Sequence, residues 1–237
     1  MNIKDLQHNW NSLAETDPLW AVLTESGKSK NRWSRDEFFA TGVHEIDTLM
    51  ATIQTLPVHL SYGRALDFGC GVGRLSQALA NYFDKVVGVD IAPAMIKQAD
   101  EFNQKGTHCT YRVNETNDLA QFEDASFDLV HSHITLQHME PHYAKNYIKE
   151  FLRVLKRDGL LVFQIPSEPA NTLKGYIIRV TPRKLLNKYR KMEMHGIQRK
   201  QMQHFLEQQG ANVIHMQKET GAGSGWNSYR YFVTKKI

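Results

Sequence analysis

The chain has 237 residues, of which 41% are hydrophobic and 23% charged, and its formal net charge is +4. These values fit one globular α/β domain with a sizeable core, and the charge is too small to indicate a nucleic-acid partner. No apolar run approaches the about 18 residues of a membrane-spanning helix, and the polar N-terminus lacks a secretion-signal pattern, so we expect a cytoplasmic protein. The two cysteines, Cys70 and Cys109, form neither a disulfide framework nor a metal-ligand spacing.

Residues 1–60 predict a helical N-terminal cap. The stretch "DEFFATGVHEIDTLMATIQTL" carries apolar residues three or four positions apart, which is typical of one buried helical stripe, and Pro57 closes it. The predicted stripe consists of Phe38, Phe39, Val43, Ile46, Leu49, Met50, Ile53 and Leu56.

Residues 61–166 alternate between short β-branched runs and helical stretches. The predicted strands are "RALDF", "KVVGVD", "HCTYRV", "FDLVHSH" and "LLVFQIP"; the predicted helices are "RLSQALANYF", "PAMIKQADEFNQKG" and "PHYAKNYIKEFLRVLKRDG". The last two helices are expected to stop at Gly106 and Gly159. This alternation predicts an α/β fold, a doubly wound, Rossmann-like and mostly parallel sheet that is covered on both faces.

Residues 167–200 interrupt the alternation and predict a basic helical insert after the fifth strand. Two short helices are expected, the second with Thr181 as its N-cap. Between Lys174 and Lys200 the sequence has nine basic residues and one acid, Glu193. Three interpretations remain open: a lid over an anionic or carrier-bound substrate, a helix that docks on a membrane surface, or a solvated helix face.

Residues 201–237 predict a helix with a glycine stop and two closing strands. The helix is "RKQMQHFLEQQG", and the strands "ANVIHMQK" and "SYRYFVTKK" are joined by "ETGAGSGWN". Consecutive strands with so short a link predict an antiparallel C-terminal hairpin, which brings the expected sheet to seven strands.

The loop in "ALDFGCGVGRL" has the pattern D-x-G-x-G-x-G, from Asp67 to Gly73, between a strand and a helix. A phosphate-binding P-loop would need Lys followed by Ser or Thr where Arg74 and Leu75 stand. A dinucleotide fingerprint would need a glycine at position 74. An acid ahead of the glycines suits a ligand that carries an amine better than a diphosphate.

Four stretches in order, "LDFGCGVGR", "VVGVDIAPAMIKQA", "SFDLVHSHITLQHM" and "EFLRVLKRDGLLVFQIP", resemble the motifs of class I S-adenosylmethionine-dependent methyltransferases. The similarity covers roughly residues 60–166 and is greatest to the small-molecule, ubiquinone-biosynthesis-like group. One departure is "KRDGLL", where the family usually has Pro-Gly-Gly. The resemblance implies S-adenosylmethionine as cofactor and S-adenosylhomocysteine as product.

Asp90 ends the second strand about twenty residues after the glycines, where an acid can bind both ribose hydroxyls. The alternative is that it only caps the helix near Pro93. For the adenine amino group we favour Asn117 and Asp118, with Asn114 and Glu115 as alternatives in an uncertain register. The residues expected to contact the cofactor are Asp67, Gly69, Cys70, Gly71, Gly73, Asp90, Ile91, Met95, Asn117, Asp118, Leu119 and Ser132.

Methyl transfer to an alcohol needs a base, and histidine suits this role at neutral pH. His138 is our first candidate and His133 the second, whereas His131 shares a strand side with His133. The alternative is that these histidines are structural and that transfer needs only proximity. The residues expected to bind the substrate are Arg179, Arg183, His195 and Trp226.

The sequence therefore predicts a methyltransferase that acts on a small molecule, with O-methylation favoured over N- or C-methylation. No metal is expected, because Gln137 stands where some relatives have Glu. The alternatives are an RNA methyltransferase, suggested by the basic insert, and a non-catalytic cofactor-binding or scaffold protein. The sequence gives no indication of the oligomeric state.

Overall fold

The structure is a computed structural model that describes residues 2–181 and 192–236. Its helices are α1 Ile3–Thr16, α2 Pro18–Val22, α3 Arg35–Gln54, α4 Arg74–Leu79, α5 Pro93–Phe102, α6 Pro141–Val154, α7 Leu173–Val180 and α8 Arg199–Gln208. Its strands are β1 Arg64–Phe68, β2 Lys85–Asp90, β3 Cys109–Val113, β4 Phe127–Ser132, β5 Leu155–Pro169, β6 Ala211–Glu219 and β7 Trp226–Lys235.

The seven strands have the order β3-β2-β1-β4-β5-β7-β6. The pairings of β1 with β2 and of β2 with β3 are parallel, whereas β7 is antiparallel to both β5 and β6. The predicted Rossmann-like α/β sheet with an antiparallel C-terminal hairpin is confirmed. The chain divides into two compact units, a first unit of residues 2–116 and 127–129 and a second unit of residues 117–126 and 130–236.

In the first unit, three helices precede the sheet. A capping box between Asn2 and Asp5 starts α1, and the side chain of Ser34 accepts a hydrogen bond at the start of α3. The apolar stripe of α3 supplies core residues such as Phe38 and Ile46, both of which are fully buried. Val43 was predicted to be part of that stripe but is 40% exposed, since the buried face turns away from it.

Three predicted helix ends are wrong. Helix α5 ends at Phe102, well before Gly106, because the side chain of Asn103 bonds the backbone of the following turn. The helix after β1 ends at Leu79 instead of Phe83. Helix α6 ends at Val154.

At the end of α6, the next residue already begins β5. The carbonyl oxygens of Arg153 and Val154 accept hydrogen bonds from Ala125 and Ser126 of the same unit. These contacts satisfy the last turn of the helix, so no glycine stop at Gly159 is needed.

In the second unit, β7 lies between β5 and β6. The rings of Phe163 on β5 and Tyr231 on β7 stack with their centroids 5.0 Å apart, at opposed positions of the ladder. Gly210 ends α8 with a φ of 70°, as the sequence predicts.

The segment predicted as a helical insert begins differently, because β5 continues through Pro169. The first predicted helix is present as α7, with Thr172 as its N-cap. The second lies outside the described residues, together with five basic residues of the predicted lid: Arg183, Lys184, Lys188, Arg190 and Lys191. Among the residues described, no helix has the length and apolarity that crossing a membrane requires.

Candidate functional site

The loop after β1 is a glycine-dependent turn in the first unit. Gly69, Gly71 and Gly73 have φ values of 76°, 53° and 83°, a region that side chains other than glycine rarely adopt. The backbone N–H groups of Gly69 and Cys70 both donate to the carbonyl oxygen of Val89, at 2.8 and 3.0 Å. The loop is therefore fixed to the neighbouring strand β2.

Two of these glycines also make room for protein groups. A Cβ at Gly71 would overlap the side chain of Val22, and a Cβ at Gly73 would overlap the hydroxyl of Tyr111. The structure adds a packing requirement, since the N-terminal helices and β3 both reach the loop.

Asp90, the last residue of β2, connects this loop to the following helix. Its Oδ2 accepts a hydrogen bond from the N–H of Gly71 and its Oδ1 one from the N–H of Ala92, both at 2.9 Å. The N-cap of α5 is Ala92, so Asp90 does not cap that helix itself. Each carboxylate oxygen retains a lone pair that could accept from a hydroxyl.

The carboxylate of Asp90 is also poorly solvated. Burial raises its pKa to about 6, although the hydrogen bonds from Ala92 and Gly71 act in the opposite direction. Two hydroxyl donors would favour the ionised form, because hydrogen bonds to a carboxylate are stronger than those between neutral groups. The residue thus fits the vicinal diol of a ribose.

Other predicted cofactor residues of the first unit lie close to the core. Asp67 is buried and accepts a hydrogen bond of 2.6 Å from the hydroxyl of Ser76. Met95 is 1% exposed and Ile91 is half-buried. Burial, which has the largest effect, raises the pKa of Cys70 well above its usual value, so the thiol stays protonated at neutral pH.

The predicted adenine-binding residues separate between the units. Asn114 and Glu115 belong to the first unit, where the N–H of Asn114 donates to the carbonyl oxygen of Asp90 at 2.8 Å. Asn117, Asp118 and Leu119 belong to the second unit.

Within the second unit, the N–H of Leu119 donates to Glu150 at 2.9 Å, and Asp118 accepts from the N–H of Ala120 at 3.3 Å. The structure therefore brings the alternatives Asn114 and Glu115 next to Asp90. The favoured pair stays a prediction.

Helix α1 also contributes to the site of the first unit, which was not predicted from the sequence. The side-chain amide of Gln7 donates to the carbonyl oxygen of Ile91 at 3.1 Å and to Glu115 at 2.7 Å. The side chain of Asn11 accepts from the N–H of Ala94 at 3.1 Å. The spacing of Gln7 and Asn11, one helical turn apart, is the sequence signal for this polar face.

In the second unit, β4 leads into a strained turn. Ile134 has a φ of 56°, which is unfavourable for a β-branched residue, and its N–H donates to the side chain of Gln164 at 3.0 Å. Such strain persists only where the surrounding structure holds it, and it is concentrated at functional sites. A single 3₁₀ turn, Leu136–His138, follows directly.

A chain of buried side chains runs from this turn to His138. Gln164 donates to Gln137 at 3.1 Å, and Gln137 lies 3.2 Å from Nε2 of His138. The Nδ1 of His138 lies 2.8 Å from the carbonyl oxygen of Glu193. Because a carbonyl only accepts, Nδ1 carries the proton and Nε2 accepts from the amide of Gln137.

His138 is therefore a neutral imidazole with its basic nitrogen already engaged. Burial lowers its pKa to about 4, against the opposing effect of the bond to Glu193. This arrangement weakens the prediction that His138 is the base. Gln137 is likewise bonded at both ends of its amide.

His195 has the arrangement of an oriented base. Its Nε2 lies 3.0 Å from the carboxylate of Glu193, and its backbone N–H donates to the carbonyl oxygen of Gln137 at 2.7 Å. The residue is 6% exposed, and its Nδ1 has no hydrogen-bond partner among the described residues. An imidazole that donates Nε2–H to a carboxylate presents Nδ1 as the free lone pair.

His133 is bound differently. Its Nε2 accepts from Arg230 at 3.2 Å, and Arg230 forms a buried ion pair with Glu219 at 2.8 Å. The ring of His131 lies 6.3 Å from that of His133, and the intervening Ser132 is buried. These contacts favour a structural role for His133.

The predicted substrate residues are only partly brought together. Trp226 is half-buried, and a Cβ added at Gly196 would lie 3.0 Å from the indole ring of Trp226. Trp226 therefore lies beside Gly196, the residue that follows His195. Arg179 is exposed on α7 and donates to the carbonyl oxygen of Pro169 at 3.1 Å. Arg183 lies outside the described residues.

Comparisons with known proteins agree with this architecture. Residues 66–163 match the family model described as a methyltransferase domain. A curated relative, a ubiquinone biosynthesis O-methyltransferase from Xanthomonas oryzae pv. oryzae, is 30% identical over 160 residues, which are 65% of this chain and 66% of that protein. The chain thus spans just under two thirds of the length of the curated relatives that it matches.

Two solved structures share the fold. Magnesium protoporphyrin IX methyltransferase from Synechocystis, with bound S-adenosylhomocysteine, superposes with a TM-score of 0.67 at 19% identity over 99% of this chain and 100% of that one. An S-adenosylmethionine-dependent methyltransferase from Leishmania major gives a TM-score of 0.70 at 13% identity, over 98% of this chain and 82% of that one.

The state of the Asp90 carboxylate predicts a pH-dependent affinity. Its ionised form accepts the stronger hydrogen bonds, so affinity for S-adenosylhomocysteine should fall as the pH is lowered through about 6. Asp90→Asn should weaken binding at pH 7.5 by roughly 10- to 100-fold, because one charged hydrogen bond contributes about 1.5–3 kcal/mol. Calorimetric titration of both proteins measures this.

The control for that titration is Asp84→Asn, an exposed acid just before β2. It should behave like the wild type at every pH. An Asp90→Asn variant that keeps both the wild-type affinity and its pH dependence would contradict the assignment of Asp90.

The polar face of α1 generates a second prediction. Gln7→Ala removes the hydrogen bonds to the carbonyl oxygen of Ile91 and to the carboxylate of Glu115. It should weaken S-adenosylhomocysteine binding about two- to tenfold, the factor that corresponds to about 0.5–1.5 kcal/mol. His8→Ala, at the exposed neighbouring position, is the matched control. Equal affinities of the two variants by calorimetry would show that α1 does not support the site.

Proposed function

The chain belongs to the class I S-adenosylmethionine-dependent methyltransferases, and from this premise we propose that it transfers the methyl group of S-adenosylmethionine to a hydroxyl of a small molecule. The observation that carries the proposal is the carboxylate of Asp90, held by Gly71 and Ala92 with lone pairs left over. It stands within the segment that matches the methyltransferase domain. An intact loop and acid also argue against a non-catalytic scaffold.

The cofactor, when bound, supplies a methyl group on a positively charged sulfur. The protein's own contribution is to bind and orient the cofactor and the acceptor and to exclude water. Alignment alone can lower the barrier by roughly 7–11 kcal/mol. In the first unit, Asp90 would hold the ribose, and Asn114 or Glu115 would contact the adenine. The favoured pair, Asn117 and Asp118, remains a prediction.

Oxygen is supported as the acceptor atom by two observations. The curated relatives bear the name of O-methyltransferases. The second unit also holds His195, whose Nδ1 has no hydrogen-bond partner among the residues that the structure describes. A hydroxyl acceptor needs such a basic nitrogen, whereas an unprotonated amine or a thiolate does not.

We propose His195 as that base, in preference to His138. Glu193 would accept the Nε2–H of His195 and fix the tautomer, which leaves Nδ1 to take the proton of the acceptor hydroxyl. His138 would position the pair, because its Nδ1–H holds the backbone carbonyl of Glu193. Trp226 would supply an apolar wall near His195.

The anionic or carrier-bound acceptor stays a prediction. Of the two described basic residues in the predicted lid segment before residue 182, Arg179 already donates to Pro169 and Lys174 is exposed. A cytoplasmic location is supported by the two free, buried cysteines, which a reducing compartment would keep as thiols. No observation on the described residues favours an RNA substrate.

If His195 is the base, its substitution should lower the turnover number but leave cofactor affinity unchanged. His195→Gln should lower kcat by roughly 10²–10⁴-fold, since general base catalysis contributes that much. Its affinity for S-adenosylhomocysteine should stay within about twofold of the wild type, since no cofactor contact is lost. Glu193→Gln should lower kcat less, because the imidazole would be disoriented but present.

The matched variant for this series is His138→Gln, with turnover followed as S-adenosylhomocysteine formation. The acceptor is found by incubating the protein with methyl-labelled S-adenosylmethionine and a cell extract that contains both metabolites and RNA, then identifying the labelled product by mass spectrometry. A product labelled on oxygen supports the proposal. A product labelled on RNA, or wild-type turnover in His195→Gln, would contradict it.

A further inference from the structure

Helix α7 presents a stripe of large apolar side chains to solvent. Leu173, Tyr176, Ile177 and Val180 are 78%, 61%, 48% and 57% exposed. Their spacing of three, four and seven positions places them on one face of the helix. Exposed apolar residues that cluster in this way mark an interaction surface, whereas single ones need no explanation.

The opposite face of α7 holds it in this orientation. A Cβ on Gly175 would overlap the carbonyl oxygen of Ala170, and a Cβ on Gly225 would lie 2.6 Å from Cδ1 of Ile178. The hydroxyl of Thr172 donates to the carbonyl oxygen of Ser224 at 2.9 Å. The helix is therefore anchored through its small residues, and the apolar stripe is outward because of specific contacts on the other side.

Positive charge accompanies the stripe. Lys174 and Arg179 are exposed on the same helix, and residues 170–181 contain no acid. From residue 174 to residue 200, the sequence carries nine basic residues and one acid, whereas the rest of the chain carries twenty basic and twenty-four acidic residues. The charge of the protein is thus separated, with the excess of cations in the segment that contains α7.

We propose that α7 docks on the surface of a membrane that contains anionic phospholipids. The apolar stripe would enter the boundary between headgroups and acyl chains, and the ammonium and guanidinium groups of Lys174 and Arg179 would meet lipid phosphates. An apolar helix face on a helix that carries cations and no acid fits a negatively charged surface better than a neutral one. The proposal does not depend on methyl transfer.

Vesicle flotation of the full chain tests the proposal. We expect binding to vesicles of phosphatidylcholine with phosphatidylglycerol and little binding to phosphatidylcholine alone. Raising the salt concentration should weaken binding, because screening reduces the attraction of exposed charges.

Two variants separate the apolar and the ionic contributions. Leu173→Ser combined with Ile177→Ser should lower the fraction bound to anionic vesicles more than about tenfold, since two buried aliphatic side chains are lost from the membrane contact. Lys174→Glu combined with Arg179→Glu should lower it by a similar factor and remove the salt dependence. Circular dichroism and S-adenosylhomocysteine affinity report whether each variant is folded.

The matched control is Val43→Ser combined with Tyr62→Ser, which removes exposed apolar groups outside α7. This variant should bind vesicles like the wild type. A wild-type chain that binds neither kind of vesicle, or both kinds equally with no effect of the α7 variants, would overturn the proposal. Light scattering that shows a dimer lost in the Leu173 and Ile177 variant would assign the stripe to a second copy of the chain instead.

Discussion

The two hydrogen bonds that the carboxylate of Asp90 accepts are the constraint on which the first unit's site depends. They join the end of β2 to the glycine loop at Gly71 and to the start of α5 at Ala92. The carboxylate of Asp90 accepts hydrogen bonds from backbone N–H groups, but desolvation raises its pKa to about 6, and every further donor would stabilise its ionised form. The hydrogen bonds that fix the loop thus also hold the carboxylate of Asp90 where it can accept hydrogen bonds from the two hydroxyls of a diol. Helix α1 adds a second layer, since Gln7 holds the residue after Asp90.

The second unit depends on a series of buried side-chain hydrogen bonds. The amides of Gln164 and Gln137 are bonded in series to His138, and His138 in turn holds the carbonyl of Glu193. Each group in this series has a single orientation that satisfies its neighbours, so the tautomers are specified rather than free. Among the described residues, Nδ1 of His195 is a buried imidazole nitrogen without a hydrogen-bond partner. This nitrogen therefore has the capacity to accept a proton that our proposal requires of it.

Much of this could be predicted from the sequence, and the failures have physical reasons. The strands could be predicted from local β-branched runs. The glycine loop and Asp90 could be predicted from their distance along the sequence. Helix ends did not, because the stop of α6 depends on Ala125 and Ser126, which are distant in sequence. The choice of His195 over His138 as the candidate base depends on which ring nitrogens are engaged in hydrogen bonds. The spacing of residues in the sequence does not reveal this. The apolar stripe of α7 faces outward, although apolar periodicity usually marks a core, because the face that contains Gly175 packs against Ala170.

The most direct test of the central claim is a crystal structure of the chain with S-adenosylhomocysteine. The account predicts both ribose hydroxyls within about 2.5–3.0 Å of the two oxygens of Asp90, the usual length of a hydroxyl–carboxylate hydrogen bond, with the bonds from Gly71 and Ala92 retained. A ligand bound elsewhere, or a ribose whose hydroxyls bond other groups while Asp90 keeps only backbone donors, would contradict it.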